Sequence, residues 1–258
     1  MKIAVCMKYV PDTAARIRVT ADGKAVDLTG VTYVINPYDE FAVEEALQIK
    51  ERLGGEVIVI TAGSERASPG LRTCLAMGAD RAILVQDEAL ESADSFTLGA
   101  VLARVCRGLG PDLVLFGKQA IGVDNGQVSA VVAELLDLPQ VSAVLKLELK
   151  DGTFRAEREI EGGREILEGT LPAVFTAQKG LNNPRYASLK GIMAAKKKPI
   201  DVQTVASLGL SADDLVARLA TVQVALPPPR PPGRILTGDV SETVPQLVRL
   251  LHEEAKLI

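Results

Sequence analysis

Few side chains here have the types and spacing for covalent chemistry. The single histidine, His252, lies six residues from the C-terminal end in LLHEEAK, and Cys6, Cys74 and Cys106 are scattered with no CxxC pair. One histidine and three separated cysteines build neither a zinc site nor a Ser-His-Asp triad. Cys74 and Cys106 sit in apolar helical patterns and read as small core residues. A different chemistry is written in GKQAIGVDNGQVSAVVAELL, residues 117–136, which follows the apolar run DLVLF. Gly122 and Gly126 let a backbone approach a ligand closely. A helix beginning near Gly126 aims N–H groups and a positive dipole end at an anion. Read by itself, the stretch is either a phosphate cradle or an ordinary loop, with Asp124 as a candidate cap for the next helix. It is neither a GK[ST] loop nor GxGxxG.

Such a loop needs strands and helices to hold it. KIAVCMK, VTYVI, EVIVITA, DRAILVQ and PDLVLFG read as strands, alternating from VTYVI onward with helical segments. Asn36 is a good N-cap, with Pro37 at the first helical position and Asp39 and Glu40 in the first turn. Ala42, Ala46, Ile49 and Leu53 share one face of that helix. SPGLRTCLAMGA and SADSFTLGAVLARVCRGLG read as further helices. This alternation predicts an α/β fold with a doubly wound, mostly parallel sheet. From residue 140 to 171 the pattern changes to three extended stretches split by Asp151-Gly152 and Gly162-Gly163, which predicts a small antiparallel insertion. PAVFTAQ returns to the sheet, and RYASLKGIMAAKKK reads as a short basic helix. The expected α/β domain therefore spans 1–198, and 199–258 forms a C-terminal helical arm. In that arm SADDLVARLA reads as a capped helix, LPPPRPPGR as a proline-rich spacer, and SETVPQLVRLLHEEAKLI contains a last helix suited to lie on another chain.

Composition narrows the classes. At 47% hydrophobic and 24% charged, the chain reads as globular rather than disordered. A net charge of −4 gives no bulk attraction to nucleic acid, and no apolar stretch is long enough to span a bilayer. The N-terminus lacks signal-peptide features, so a cytoplasmic location is expected.

NPYDEFAVEEAL, LRTCLAMGADRA, DLVLFGKQAI and LPAVFTAQKGLNNPRYASLKGIMAAKKK, in this order and spacing, resemble the beta subunits of electron transfer flavoproteins over nearly the whole chain. The resemblance implies an alpha–beta heterodimer. In it the alpha subunit holds most of a redox-active FAD, and the beta subunit has an adenine-nucleotide-binding, Rossmann-like fold that holds AMP structurally. It implies a carrier rather than an enzyme, taking electrons from acyl-CoA or related dehydrogenases toward a quinone-linked oxidoreductase. It assigns nucleotide binding to Cys6 (as a backbone contact to adenine), to Asn36, Pro37, Tyr38 and Asp39, and to Ala62. It adds the loop residues Gly117, Lys118, Gln119, Ala120, Ile121, Gly122, Val123, Asp124, Asn125, Gly126, Gln127 and Val128. Backbone N–H groups around residues 125–128 and the side chains of Asn125 and Gln127 are the expected phosphate donors.

The same resemblance makes the segment around Leu189 a recognition loop that anchors on the dehydrogenase, with Ile192 and Met193 beside it and Arg185 and Tyr186 holding the loop. GVDNGQVS departs from the DGDTAQVG pattern of bifurcating relatives, which place a second FAD in the beta site, whereas VPDT at residues 10–13 leans toward them. The alternatives are therefore that bifurcating form, an adenine-nucleotide-binding stress-type sensor on the same fold, and an enzyme with a nucleotide substrate. No metal site is expected.

Overall fold

The computed structural model describes residues 1–211, 213–230 and 232–258. The chain opens with β1 (Lys2–Cys6), β2 (Tyr9–Pro11), β3 (Arg18–Val19), β4 (Val26–Asp27), β5 (Tyr33–Ile35) and α1 (Pro37–Leu53). It continues with β6 (Glu56–Gly63), α2 (Ser68–Met77), β7 (Arg81–Gln86), α3 (Ser95–Leu109), β8 (Leu113–Gly117) and α4 (Val128–Leu136). Then come β9 (Gln140–Lys150), β10 (Thr153–Ile160), β11 (Gly163–Thr170), β12 (Ala173–Ala177), α5 (Leu189–Ala195), β13 (Ile200–Gln203) and α6 (Val240–Arg249).

Among the described residues, nine strands form one sheet in the order β11-β10-β9-β12-β8-β1-β6-β7-β13. It is parallel from β9 to β13, and β9, β10 and β11 make the antiparallel insertion. Alternate residues of each parallel strand feed two cores, because successive side chains point to opposite faces. Ile3 and Val5 pack with α1 and α2, while Ala4 and Cys6 pack with α3 and α4. Near-continuous apolar runs are what a sheet covered on both faces requires. All three cysteines are buried and unpaired.

Four expectations change. VTYVI supplies a strand, but β5 lies outside the main sheet and pairs antiparallel with β2, where Tyr9 and Tyr33 stack with centroids 5.8 Å apart. The sheet runs past 198, since β13 pairs with β7 at its edge. Leu53, at the frayed end of α1, is exposed rather than core. SADDLVARLA gives one 3₁₀ turn, Asp213–Leu215, instead of a helix; its Ala212 lies outside the described residues, as does Pro231 of the proline-rich spacer. The physical reason is competition. An isolated helix this short is marginal, Val216 and Leu219 find no core, and the Arg218 and Leu219 N–H groups donate to Asp94. The last helix is present as α6, interrupted in sequence by Pro245. Among the described residues, no helix is long and apolar enough to cross a membrane.

Candidate functional site

From β1 the chain proceeds to β6 and β7 on one side, then returns to β8 and β12 on the other. Ligands of open α/β sheets bind outside the carboxyl ends of the strands at such a switch point. A cavity of about 250 Å³ opens there. It is lined by Cys6 at the end of β1, Ala62 of β6, Phe116 and Gly117 of β8, Asn36 and Asp39 at the start of α1, and Val128 and Ser129 at the start of α4. Lys118, Gln119, Ala120, Val123, Asn125, Gly126 and Gln127 complete the loop wall.

Two side chains at the start of α1, Asn36 just before it and Asp39 in its first turn, build this arrangement. Asn36 does not cap its own helix. Its amide nitrogen donates to the Gln119 carbonyl at 2.8 Å, and its oxygen accepts from Ile121 N–H at 3.2 Å, so it tethers the loop. The Asp39 carboxylate accepts from Lys8 N–H at 2.7 Å and Gly117 N–H at 2.9 Å, pinning the segments that leave β1 and β8 to α1. Gly117 is where α1 touches the strand end, and an added Cβ would lie 2.6 Å from the Tyr38 backbone.

Burial pushes the Asp39 carboxyl up to about 7, against the lowering effect of the hydrogen bonds from Lys8, Asn36 and Gly117. An unperturbed aspartate sits near about 3.9. Between these values the folded chain keeps a proton that the unfolded chain releases. The stability this group contributes is complete below the unfolded value and is lost as pH rises toward 7. Melting temperatures of the nucleotide-free protein, measured across that window, are expected to fall in the wild type relative to Asp39→Asn, which lacks this component. Parallel profiles for the two proteins would contradict it.

The loop itself alternates its backbone. Gly122, Asp124 and Gly126 have φ of 89°, 55° and 60°. Turns of this kind gather N–H groups into anion-binding concavities. The first N–H groups of α4 have no partner within the helix, and the cavity ends on them. Asp124 does not cap α4, whose N-cap is Gln127 without a side-chain bond; Asp124 accepts instead from the Gln119 side chain at 2.8 Å. The Asn125 amide nitrogen, expected as a phosphate donor, is engaged by Ser95 Oγ at 2.7 Å.

Of the expected residues, Pro37, Tyr38, Ile121, Gly122 and Asp124 do not line the cavity. Lining residues missed by sequence reasoning are Met7 and Lys8, Ala93, Asp94 and Ser95, Leu98, Leu102, Phe116, Ser129 and Leu219. SADSF carried a signal in its helix-capping pattern, since a helix that starts beside strand ends points its cap at the switch point.

The second expected surface lies further along α1. The Arg185 guanidinium bonds Glu44 at 2.8 Å and also Glu51, and Asn182 donates to Glu45 and the Phe41 carbonyl. Burial opposes the charge on Glu44, but the Arg185 hydrogen bonds outweigh it and hold that carboxyl below its usual range. Ser188 then caps α5, accepting from Gly191 N–H at 3.0 Å. Gly191 packs so closely on the Ala76 carbonyl of α2 that no side chain fits there. On this firm base Leu189 is 84% exposed and Met193 63%, with Ile192 at 41%. Leu189 is not a core residue. Arg185 thus ties the loop to α1, whereas Tyr186 is 97% exposed.

Comparison with known proteins finds relatives along the whole chain. Residues 24–208 match the family model of the electron transfer flavoprotein domain. The chain is 43% identical to the electron transfer flavoprotein subunit beta of Bacillus subtilis (strain 168), over 100% of both chains. It is 41% identical to the subunit of the same name from Sus scrofa, over 100% of this chain and 99% of that one. For the Syntrophomonas wolfei subunit beta the identity is also 41%, over 90% and 88%.

Proposed function

Because the chain belongs to the electron transfer flavoprotein family, among its beta subunits, we propose that it is the beta half of an alpha–beta electron carrier with AMP in the switch-point cavity. The observation that carries the AMP assignment is the cavity itself. Its volume of about 250 Å³ falls just below the usual range of small-molecule sites, about 300–1,000 Å³, which suits a mononucleotide better than a dinucleotide. The residues fit such a ligand. Backbone N–H groups around residues 125–128 are the proposed phosphate donors, while Cys6, Ala62, Leu98 and Leu102 offer an apolar wall for a base.

The redox FAD is then held mainly by the alpha partner, where it supplies the electron chemistry. This chain's own residues position rather than react. Asn36 fixes the loop, Asp39 fixes the strand ends, and Arg185 fixes the segment that presents Leu189 to an acyl-CoA-type dehydrogenase. A quinone-linked oxidoreductase is the proposed acceptor. The exposed apolar face around Leu189 favours a docking subunit over a freestanding nucleotide sensor.

Mass spectrometry of the nucleotide released from the denatured heterodimer, with flavin counted per dimer, tests this reading. One flavin and one AMP are expected, and the chain purified without its partner is expected to show no stoichiometric flavin absorbance. Two flavins per dimer would replace AMP by a second FAD and point to the bifurcating form.

A further inference from the structure

The cavity has one wall that comes from far along the chain. Leu219 lines it, although the leucine side chain is 70% exposed. The turn that carries it is latched to the cavity rim. Arg218 N–H and Leu219 N–H both donate to Asp94 Oδ2, the second at 3.0 Å. The other oxygen, Asp94 Oδ1, accepts from Thr97 N–H at 2.8 Å and caps α3. The Arg218 guanidinium lies over the Phe96 ring, 3.5 Å from its centroid. The next rim residue, Ser95, holds the opposite wall through Asn125. One short rim segment, 94–96, thus fastens the loop on one side of the cavity and the arm on the other.

Leu215 anchors the start of this segment on the core, but beyond it nothing apolar holds the docking: Val216 is 64% exposed, and among its described residues the segment forms no regular element beyond a single 3₁₀ turn. A leucine set on a cavity wall yet left mostly in water lacks an apolar partner there. We infer that the Arg218–Leu219 turn is part of the nucleotide site, a strap whose leucine closes over the apolar side of the bound nucleotide while Asp94 holds its backbone. This rests on the nucleotide reading above. Occupancy and strap docking are then linked, each favouring the other by the same factor.

The test uses the heterodimer loaded with isotopically labelled AMP and chased with unlabelled AMP. Leu219→Ala is expected to release the label about tenfold faster than wild type. Asp94→Asn is expected to do the same while keeping the α3 cap, because asparagine caps as well as aspartate but turns an N–H₂ toward the two strap donors. Flavin content should not change in either. Hydrogen exchange at the Arg218 and Leu219 amides of the wild type should slow when AMP is bound, a readout that needs no variant to fold. Release rates equal to wild type in both variants, or amide exchange indifferent to AMP, would overturn the strap. A wild-type dimer that neither carries nor takes up AMP would overturn the nucleotide reading, and the strap with it.

Discussion

Replacing Gly117 by alanine will empty the nucleotide site and lower the melting temperature of the beta chain. The added Cβ would lie 2.6 Å from the Tyr38 backbone and closer still to the Asp39 carboxylate. Relief by a rotamer change is unavailable, since one neighbour is main chain and the other is a buried side chain, Asp39, at 4% exposure. Either α1 or β8 must move, and movement breaks the bond from Gly117 N–H to Asp39. Overpacking of this kind costs about 1–3 kcal/mol, at about 2–4 °C per kcal/mol for a chain of this size. The loss of nucleotide should exceed the loss of stability, because the displaced atoms are the cavity floor. Gly108→Ala serves as the control: its Cβ meets nothing within 4 Å, and it lies inside α3. Alanine there should leave the nucleotide in place and stabilise the helix by up to about 1 kcal/mol. Full nucleotide retention and an unchanged melting temperature in Gly117→Ala would refute the account of the switch point.

Leu189→Ala is expected to weaken dehydrogenase-dependent electron transfer while leaving the fold intact. Burying a leucine completely at an interface is worth on the order of 2 kcal/mol, which is about thirtyfold in affinity. The leucine is 84% exposed in the chain alone, so its truncation opens no cavity and should shift the melting temperature little. A core leucine would behave in the opposite way, costing about 2–5 kcal/mol of stability. The rate at limiting dehydrogenase should fall, with recovery at saturating dehydrogenase, and the flavin spectrum should be unchanged. An unaltered rate at limiting dehydrogenase would remove Leu189 from the partner surface.

Local pattern made the scaffold readable. Near-continuous apolar runs marked β1, β6, β7 and β8, period-3.6 patterns marked the helices between them, and Gly122 and Gly126 marked the loop that the cavity wraps around. Side-chain partnerships set by folding were harder to read. Asn36 looked like a cap because its neighbours suit one, yet its amide serves a loop 83 residues away. SADDLVARLA carried a helical pattern that an acceptor 124 residues upstream, Asp94, overrides at Arg218. Leu219 could not be placed on the cavity from sequence, because only the fold brings it to the rim. VTYVI was strand-like in composition, but its pairing with β2 depended on how the chain left β1, which periodicity does not encode.

Helix α1 carries both surfaces on one rod: Asn36 and Asp39 hold the cavity at its start, and Glu44, Glu45 and Glu51 hold the docking loop further along. An α-helix turns about 100° per residue. One residue inserted or deleted between Asp39 and Glu44 would therefore swing the docking loop's anchors away from Arg185 and Asn182 while the nucleotide end stayed in register. Substitutions along the helix are tolerated or penalised one contact at a time, but a change in its length is penalised at all of them together. The interval from 39 to 44 is consequently a segment whose residue count is held by both surfaces at once, over and above the packing of its buried Ala42 and Val43.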